Sequence, residues 1–218
     1  GQRELFYGLA GATRITSGKV MISGVQAKLG TPRSAMKSGA GIALVPEERK
    51  REALFPDLST IKNITASALP QVTKAGFVSS SAEEKLAAAT GESVNLPQDF
   101  LEREIGQLSG GNQQKAILAR TSLTGAQALL MFDPTRGIDP SAKLEVYQTL
   151  RRAAEQGSAV LLYSTDIPEL VGLCDRVIVL YAGEVAGQFS GSALQEGTIM
   201  SAAVGHASRS AETLGESA

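Results

Sequence analysis

The sequence predicts an α/β protein with a mostly parallel sheet, and two observations lead to that prediction. Two fully apolar runs, Ala128–Phe132 and Ala159–Tyr163, have the length and composition of strands buried on both faces. Helix start signals follow them, so strands and helices alternate through the second half of the chain, as in a parallel sheet covered by helices. Ligands of such sheets bind at the carboxyl ends of the strands, where Asp133 and residues 164–166 share an edge.

The first 80 residues are predicted to form short elements separated by turns. Thr31 and Pro32 have the order of a helix cap and a first-turn proline, and Ser59 can cap a further helix. The predicted elements are a helix over 2–9, a strand over 19–23, a short helix from Thr31 to Gly39, a strand over 41–45, a charged loop over 46–57, a helix from Ser59 to about 69 and a surface loop over 70–80.

The later elements are predicted in the same way, from caps, apolar runs and turn residues. Asp139 and Pro140 combine a cap with a first-turn proline, and Gly157 stands behind the helix that they start. The predicted elements are a helix that follows a capping box at 81–84 and ends at Gly91, helices over 113–123, 139–156 and 168–173, a hairpin of 176–181 with 184–189 around Ala182-Gly183, a last helix capped by Ser192 that ends near 204, and a disordered tail over 205–218.

Length and composition fit a soluble globular protein of one domain with a full core, or at most two small domains. The chain has 218 residues, with 43% hydrophobic and 20% charged residues and a net charge of −1, so no global field points to nucleic acid. Cys174 is the sole cysteine, which excludes an internal disulfide and favours a reducing compartment. No apolar run reaches the roughly 18 residues of a membrane span, and no signal peptide is visible. Because the chain opens at Gly1 without Met, we expect it to be a piece of a longer polypeptide.

The stretch LSGGNQQK, residues 108–115, is the strongest candidate for a ligand site. Ser109 can cap the helix that follows, and Gly110 and Gly111 allow a ligand to approach the backbone. The first amides of a helix have no internal acceptor and lie at the positive end of the helix dipole, which suits a phosphate. The alternative interpretation is a Gly-Gly turn before an ordinary helix.

Four stretches together resemble one family. LSGGNQQK resembles the signature motif of ATP-binding cassette (ABC) proteins, in the form found in sugar importers. The stretch FDPTRGID at 132–139 resembles the Walker B segment with the D-loop, VPEERKRE at 45–52 the Q-loop region, and STDIPE at 164–169 the switch loop of the second cassette of monosaccharide-importer ATPases. The order and spacing match over residues 1–204. The resemblance implies an ABC-ATPase cassette, with a P-loop NTPase-like, mostly parallel sheet, a helical subdomain at about 59–123 and a small antiparallel β portion.

The resemblance also implies that parts of the hydrolytic site have changed. If Gly1 is the last glycine of a Walker A loop, Gln2 stands at its Lys position and Arg3 at its Ser/Thr position. Phe132 falls at the metal-binding Asp and Asp133 at the catalytic Glu. Two alternatives for Asp133 stay open: a one-residue shift that makes it a metal ligand, and a carboxylate that only caps the following turn.

Two more positions of the hydrolytic site differ from the family pattern. Glu47 stands at the Q-loop Gln, and Thr165 at the switch His. The run 47–52 is either a solvated loop or, by resemblance, the neighbour of a permease. No metal ligand set is predicted on this chain.

The resemblance assigns the chain a role with a partner. Ser109, Gly110, Gly111, Asn112 and Gln113 would face ATP held mainly by another cassette, which would also bind most of the Mg²⁺, and Asp139 would lie at the seam between the cassettes. The expected partners are a first cassette of the same polypeptide or a second copy, transmembrane permease subunits and, indirectly, a periplasmic sugar-binding protein, but no nucleic acid. The expected location is peripheral, at the cytoplasmic face of the bacterial inner membrane.

Other functions remain as alternatives. A self-sufficient ABC-type ATPase with unusual ligands would need Asp133 for turnover, and a nucleoside importer cassette would carry the same motifs. A DNA-repair or chromosome ATPase should show long heptad stretches or a basic face between its motifs, and neither is present. A fragment without function is the fourth possibility.

Overall fold

The computed structural model describes residues 1–37 and 41–205. The helices of these segments are α1 Gln2–Leu9, α2 Pro32–Met36, α3 Thr60–Thr65, α4 Leu69–Val72, α5 Ser80–Ser93, α6 Gly110–Ser122, α7 Pro140–Glu155, α8 Ile167–Leu173 and α9 Glu196–Ala203. The strands are β1 Met21–Ile22, β2 Val25–Gln26, β3 Ile42–Val45, β4 Thr73–Lys74, β5 Phe77–Val78, β6 Ala128–Phe132, β7 Ala159–Tyr163, β8 Arg176–Tyr181 and β9 Glu184–Ser190.

A parallel sheet of order β3-β6-β7 lies at the centre, which confirms the predicted α/β class. Ile42 pairs with Ala128, and Ala128 pairs in turn with Ala159, so the three strands start at the same level. The last four residues of β6 are buried, as expected for a middle strand of a covered sheet. Both βα transitions therefore place Asp133 and the residues after Tyr163 at one edge of the sheet.

The prediction that β7 is buried on both faces is wrong. Its residues are exposed or half-buried, and the Leu161 side chain is 37% exposed. Within the described residues β7 pairs with β6 and forms one edge of this sheet. A short apolar run indicates a strand, but its composition cannot show whether a neighbour covers its second side.

A helical layer packs beside this sheet. Helices α3, α5 and α6 contact one another, and Ile64, Ile105 and Ile117 are almost fully buried in their common core. Ser59 caps α3, as predicted, by accepting a hydrogen bond from the Lys62 amide. The grouping agrees with a helical subdomain, whose bounds of 59–123 stay a prediction.

A second core joins α1 to the other face of the sheet. The Phe6 ring meets the Phe132 ring edge-on at 5.0 Å, and Phe132 stacks on Tyr163 at 4.5 Å. Farther along the chain, β8 and β9 form the predicted antiparallel hairpin, with Ala182 and Gly183 both at positive φ in its turn. Helix α9 packs on this hairpin through Ile199 and Ala202.

Several local predictions are corrected. Residues 46–57 are not a plain loop, because Arg49–Ala53 forms one π-helical turn. The surface loop predicted over 70–80 contains the end of α4 and the β4–β5 hairpin. Ser79, and not Ser81, caps α5, which continues past Gly91 to Ser93. Helix α9 starts after Gln195 rather than at Ser192, because Ser192 lies in a 3-10 turn.

Two predictions fall partly or wholly outside the described residues. The short helix predicted to end at Gly39 is described as far as Met36, and Thr31 caps it as expected. The predicted tail lies outside the described residues except for Gly205. Within 1–37 and 41–205, no helix is long and apolar enough to cross a membrane.

Candidate nucleotide-facing site

The signature loop, residues 108–113, presents an open helix N-terminus. Ser109 is exposed and caps α6: its Oγ accepts from the Asn112 backbone N at 3.4 Å and from the Asn112 Nδ2 at 3.1 Å. The Gln113 amide is satisfied by the Ser109 carbonyl. Helix geometry leaves the amides of Gly110 and Gly111 without intrahelical acceptors, so two donors remain for an anion.

Gly111 is required by the protein's own packing, and a side chain on Gly110 would displace the end of the Arg49 side chain. A Cβ on Gly110 would lie 2.6 Å from Nη2 of Arg49, and a Cβ on Gly111 would lie 2.5 Å from the Cβ of Ala142. The second contact brings the start of α6 against the start of α7. The structure shows that the glycines admit neighbouring elements, and their approach to a ligand stays a prediction.

Gln113 lies beneath the loop. Its side chain is buried and donates from Nε2 to the carbonyls of Ile105 at 3.2 Å and Leu108 at 3.1 Å. Its Oε1 accepts from Nε of Arg49 at 3.4 Å. These contacts fix the backbone that enters the loop. The proposed contact of Gln113 with nucleotide stays a prediction.

The D-loop, residues 136–139, ends at the cap of α7. Asp139 is exposed, and its Oδ1 accepts from the Ala142 amide at 2.9 Å and from the Ser141 hydroxyl. The hydrogen bond from Ser141, followed by that from Ala142, lowers the pKa of Asp139. A Cβ on Gly111 would lie 3.6 Å from Oδ2 of Asp139, so the D-loop and signature loop adjoin.

The two residues at the Walker B positions have opposite environments. Phe132 is a core residue between Phe6 and Tyr163 and offers no metal ligand. Asp133 is only 4% exposed and has a φ of +48°, and its Oδ2 accepts from Oγ1 of Thr165 at 3.1 Å. The turn after β6 is closed by the backbone carbonyl of Asp133, which accepts from the Arg136 amide. The fold thus brings Asp133 and Thr165 together, and the carboxylate contacts the switch loop.

The residues at the Walker A positions contact carboxylates and backbone. Gln2 donates from Nε2 to the Leu180 carbonyl at 3.4 Å. Arg3 pairs with Glu47 at 3.3 Å and with Glu52 at 2.8 Å, and its guanidinium lies 4.5 Å from the centre of the Tyr7 ring.

Glu47, at the Q-loop position, lies between two arginines. Arg3 is one of them, and Nη1 of Arg136 donates to the other carboxylate oxygen of Glu47. A carboxylate at the Q-loop position would repel a nearby phosphate. The two guanidinium groups on Glu47 offset that repulsion.

Glu169 is a site residue that the sequence analysis missed. It is 6% exposed and accepts four side-chain donors: Oγ1 of Thr135 at 2.8 Å, Nζ of Lys143 at 2.8 Å, the Tyr147 hydroxyl at 2.6 Å and Oγ of Ser164 at 2.7 Å. It thereby joins the turn after β6, helix α7 and the switch loop. Its position in the STDIPE stretch was the one available signal, because its partners are distant in sequence.

The electrostatics of Glu169 follow from these donors. Burial acts to raise the pKa of Glu169, but hydrogen bonds from Lys143, Tyr147, Ser164 and Thr135 outweigh it and hold the pKa below the ordinary value of 4.5. The hydrogen bond to Glu169 in turn raises the pKa of Lys143. Glu169, Asp133 and Thr165 line one cleft of about 730 Å³, which α9 closes on one side through Met200.

Comparison with known proteins agrees with the motifs. The sequence model of the ABC transporter family matches residues 3–136, which is more than half of the chain. The chain belongs to the ABC transporter family. This confirms the resemblance drawn from the signature, Walker B and Q-loop stretches.

Curated relatives of this ABC cassette carry the names of sugar-import proteins. The "Ribose import ATP-binding protein RbsA 1" of Mesorhizobium japonicum is 39% identical over 100% of this chain and 42% of its own length. The "Arabinose import ATP-binding protein AraG" of Pectobacterium atrosepticum is 40% identical over 94% of this chain and 40% of its own length. The chain therefore spans about two fifths of these relatives.

Solved ABC cassettes share the fold. A dimeric ATP-binding cassette in a post-hydrolysis state with ADP and Pi superposes with a TM-score of 0.70 and 23% identity, over 87% of this chain and 80% of that one. A nucleotide-free cassette from an ABC transporter gives a TM-score of 0.75 at 15% identity, over 92% of this chain and 80% of that one. These likenesses concern the fold.

Within residues 1–37 and 41–205, the side chains at the positions that the family pattern assigns to Mg²⁺ and nucleotide do not offer the expected ligands. Gln2, which the family pattern would place at the Walker A Lys, is uncharged, and its side-chain amide donates to the Leu180 carbonyl. Phe132 is packed in the core at the metal-Asp position. Among residues 1–37 and 41–205, no group of three or more His, Cys, Asp or Glu side chains is arranged to hold a metal ion. The signature loop, by contrast, fits an anion presented from outside.

Proposed function

We propose that the chain is a nucleotide-binding cassette of an ABC sugar importer that supplies its signature loop to ATP held by a partner cassette. One contrast carries the proposal. The signature helix starts at an exposed cap, Ser109, and leaves two amides open at that end, whereas the family pattern would place Gln2 at the Walker A Lys and Phe132 at the Walker B Asp of the same chain. Bound ATP supplies the phosphates; this chain supplies donors that stabilise their charge.

The sugar-import role is supported by the relatives and by the length of the match. The named relatives are sugar-import ATP-binding proteins, and this chain covers about two fifths of each. Because the chain covers about two fifths of each relative, a partner cassette would have room within the same polypeptide. A second copy of the chain is the other candidate for the partner cassette. The proposed partners also include permease subunits and, indirectly, a periplasmic sugar-binding protein. The proposed location is peripheral, at the cytoplasmic face of the membrane.

A matched pair of substitutions at Ser109 tests the role of the signature loop. Asp and Asn are both good helix caps of nearly equal size, so Ser109→Asp and Ser109→Asn both keep α6 intact. Asp alone adds a negative charge where phosphate is expected. In the polypeptide that carries this chain, assembled with its permease, we expect Ser109→Asp to lower ATP turnover and sugar uptake by about tenfold or more. Ser109→Asn should lower them by less than about threefold, because an ion–dipole contact is lost without repulsion.

Equal turnover and uptake in the Asp and Asn variants would contradict the proposal. Uptake measured with several radiolabelled pentoses and hexoses also tests the substrate class. Transport of nucleosides in place of sugars would favour the nucleoside-importer alternative.

A further inference from the structure

A segment of the Q-loop region lies against both loops of the proposed donated surface. Arg49–Ala53 forms a π-helical turn, a rare local structure that occurs often at functional sites. Glu47, two residues before the turn, pairs with Arg136 of the D-loop, and Arg49 is the first residue of the turn. The turn therefore presents Arg49 to the D-loop and the signature loop together.

The Arg49 guanidinium bridges the two loops. Its Nη1 donates to the Arg136 carbonyl at 2.7 Å and its Nη2 to the Gly137 carbonyl at 3.3 Å, both in the D-loop. Its Nε donates to Oε1 of Gln113 at 3.4 Å, and Gln113 holds the backbone that enters the signature loop. The absent Cβ of Gly110 leaves the space that the guanidinium occupies.

We propose that Arg49 is a positioning residue that holds the signature loop and the D-loop in one surface ready to close over a partner's ATP. The inference rests on the proposed function and deepens it. The two D-loop contacts fall on backbone carbonyls, one of them at Gly137 with a φ of +66°, and the contact with the signature loop falls on the buried Gln113 side chain. The three donor nitrogens of the planar Arg49 guanidinium thus fix the position of the signature loop relative to the D-loop.

Lysine cannot replace this arrangement. The guanidinium offers five N–H donors in a planar fork, whereas an ammonium is a single point charge on a flexible stem. An ammonium at position 49 can reach one of the two D-loop carbonyls but cannot also donate from the position of Nε to Gln113. Arg49→Lys should therefore let the signature loop and the D-loop move relative to each other, while the positive charge at position 49 is kept.

Arg49→Lys, with Arg51→Lys as its matched control, tests the inference. Arg51 lies in the same turn, but its side chain is 83% exposed and its ion pair with Glu48 spans 3.5 Å. In the polypeptide that carries this chain with its partner cassette, we expect Arg49→Lys to lower kcat for ATP about tenfold. The KM should change less than about threefold, because the partner cassette holds the nucleotide. Arg51→Lys should match the parent in both constants.

Amide hydrogen exchange on the same proteins supplies the second measurement. Arg49→Lys should speed exchange in 109–113 and 136–139 by about tenfold while α5 and β6 exchange as in the parent. Arg49→Gln is a second variant in which the charge is also removed. Exchange and kcat are compared in whichever of the two variants unfolds at the same temperature as the parent. Unchanged exchange in both loops overturns the inference, and so does faster exchange with parental kcat. Failure of the proposed function is detected separately, by parental turnover in Ser109→Asp.

Discussion

At the scale of single residues, Glu169 shows how a buried carboxylate is kept ionised beside the site. A buried charge without partners is strongly destabilising, and Glu169 accepts from Thr135, Lys143, Tyr147 and Ser164 at 2.6–2.8 Å. The same contacts tie the turn that carries Asp133 to the switch loop. Burial, and then the hydrogen bond to Glu169, raise the pKa of Tyr147, whose hydroxyl donates to the Glu169 carboxylate.

Glu169→Gln should lower the free energy of unfolding by about 1–3 kcal/mol, because the charge of a buried, hydrogen-bonded carboxylate is removed. Lys143 keeps Asp166 at 3.2 Å as a second anion, which limits the loss. Urea unfolding at pH 7 measures the effect, and Glu155→Gln, at an exposed site on α7, is the control. A change no larger than that of the control would contradict the assignment.

The same carboxyl gives the protein a pH dependence with a defined sign. The folded pKa of Glu169 lies below its ordinary value of 4.5, so the unfolded state takes up the proton first as the pH falls. Its stabilisation is therefore complete above about pH 5 and is lost as the pH falls through the lower, folded pKa. From pH 6 to pH 3, unfolding free energies should fall more in the parent than in Glu169→Gln. Parallel curves would show that Glu169 is not the responsible group.

At the scale of elements, the signature helix α6 is fixed by its contact with α7. The approach depends on the missing side chain of Gly111, which faces the Cβ of Ala142 near the N-terminus of α7. Both helices start at side-chain caps, Ser109 and Asp139, so two positive helix ends lie side by side. The Asp139 carboxylate offsets the positive end of α7, so the donors open to a phosphate are the Gly110 and Gly111 amides at the start of α6.

Gly111→Ala should destabilise the protein by about 1–3 kcal/mol, since the new methyl must push α6 and α7 apart. Gly172→Ala is a matched control in helix α8, where a Cβ meets nothing within 4 Å. Better helix propensity should make that variant slightly more stable, by about 0.4–1 kcal/mol. Thermal unfolding of both variants measures the difference, and equal midpoints would contradict the close packing.

At the scale of the whole molecule, the site is divided between an intact surface and a changed interior. The surface consists of the capped start of the signature helix, the D-loop and Arg49. The interior consists of positions that the family pattern assigns to hydrolysis, which here hold Gln2, Phe132 and Thr165. The chain should therefore contribute to catalysis through association rather than alone.

Purified separately, the chain should show negligible ATP turnover, at least about 100-fold below the polypeptide that carries it with a complete partner cassette. A phosphate-release assay with Mg²⁺ measures both, and circular dichroism of the separate chain verifies that it is folded. Turnover comparable to that of the longer protein would favour the self-sufficient ATPase with unusual ligands.

Local chemistry made much of this structure predictable. The capped starts of α6 and α7, strand β6 and the β8–β9 hairpin are encoded by caps, apolar runs and turn residues close in sequence. Features that depend on distant partners were missed. The exposure of β7 depends on its sheet neighbours, the role of Arg49 depends on carbonyls 87 and 88 residues away, and that of Glu169 on donors from three segments.

The backbone at Asp133 bears on whether evolution could readily restore a complete hydrolytic centre here. A φ of +48° suits Asp, whose short side chain tolerates this region, better than the longer Glu that the family pattern places there. Installing a metal-binding Asp at Phe132 would also place a charge between the Phe6 and Tyr163 rings. Each of these single substitutions is therefore expected to lower the free energy of unfolding before any activity could be gained.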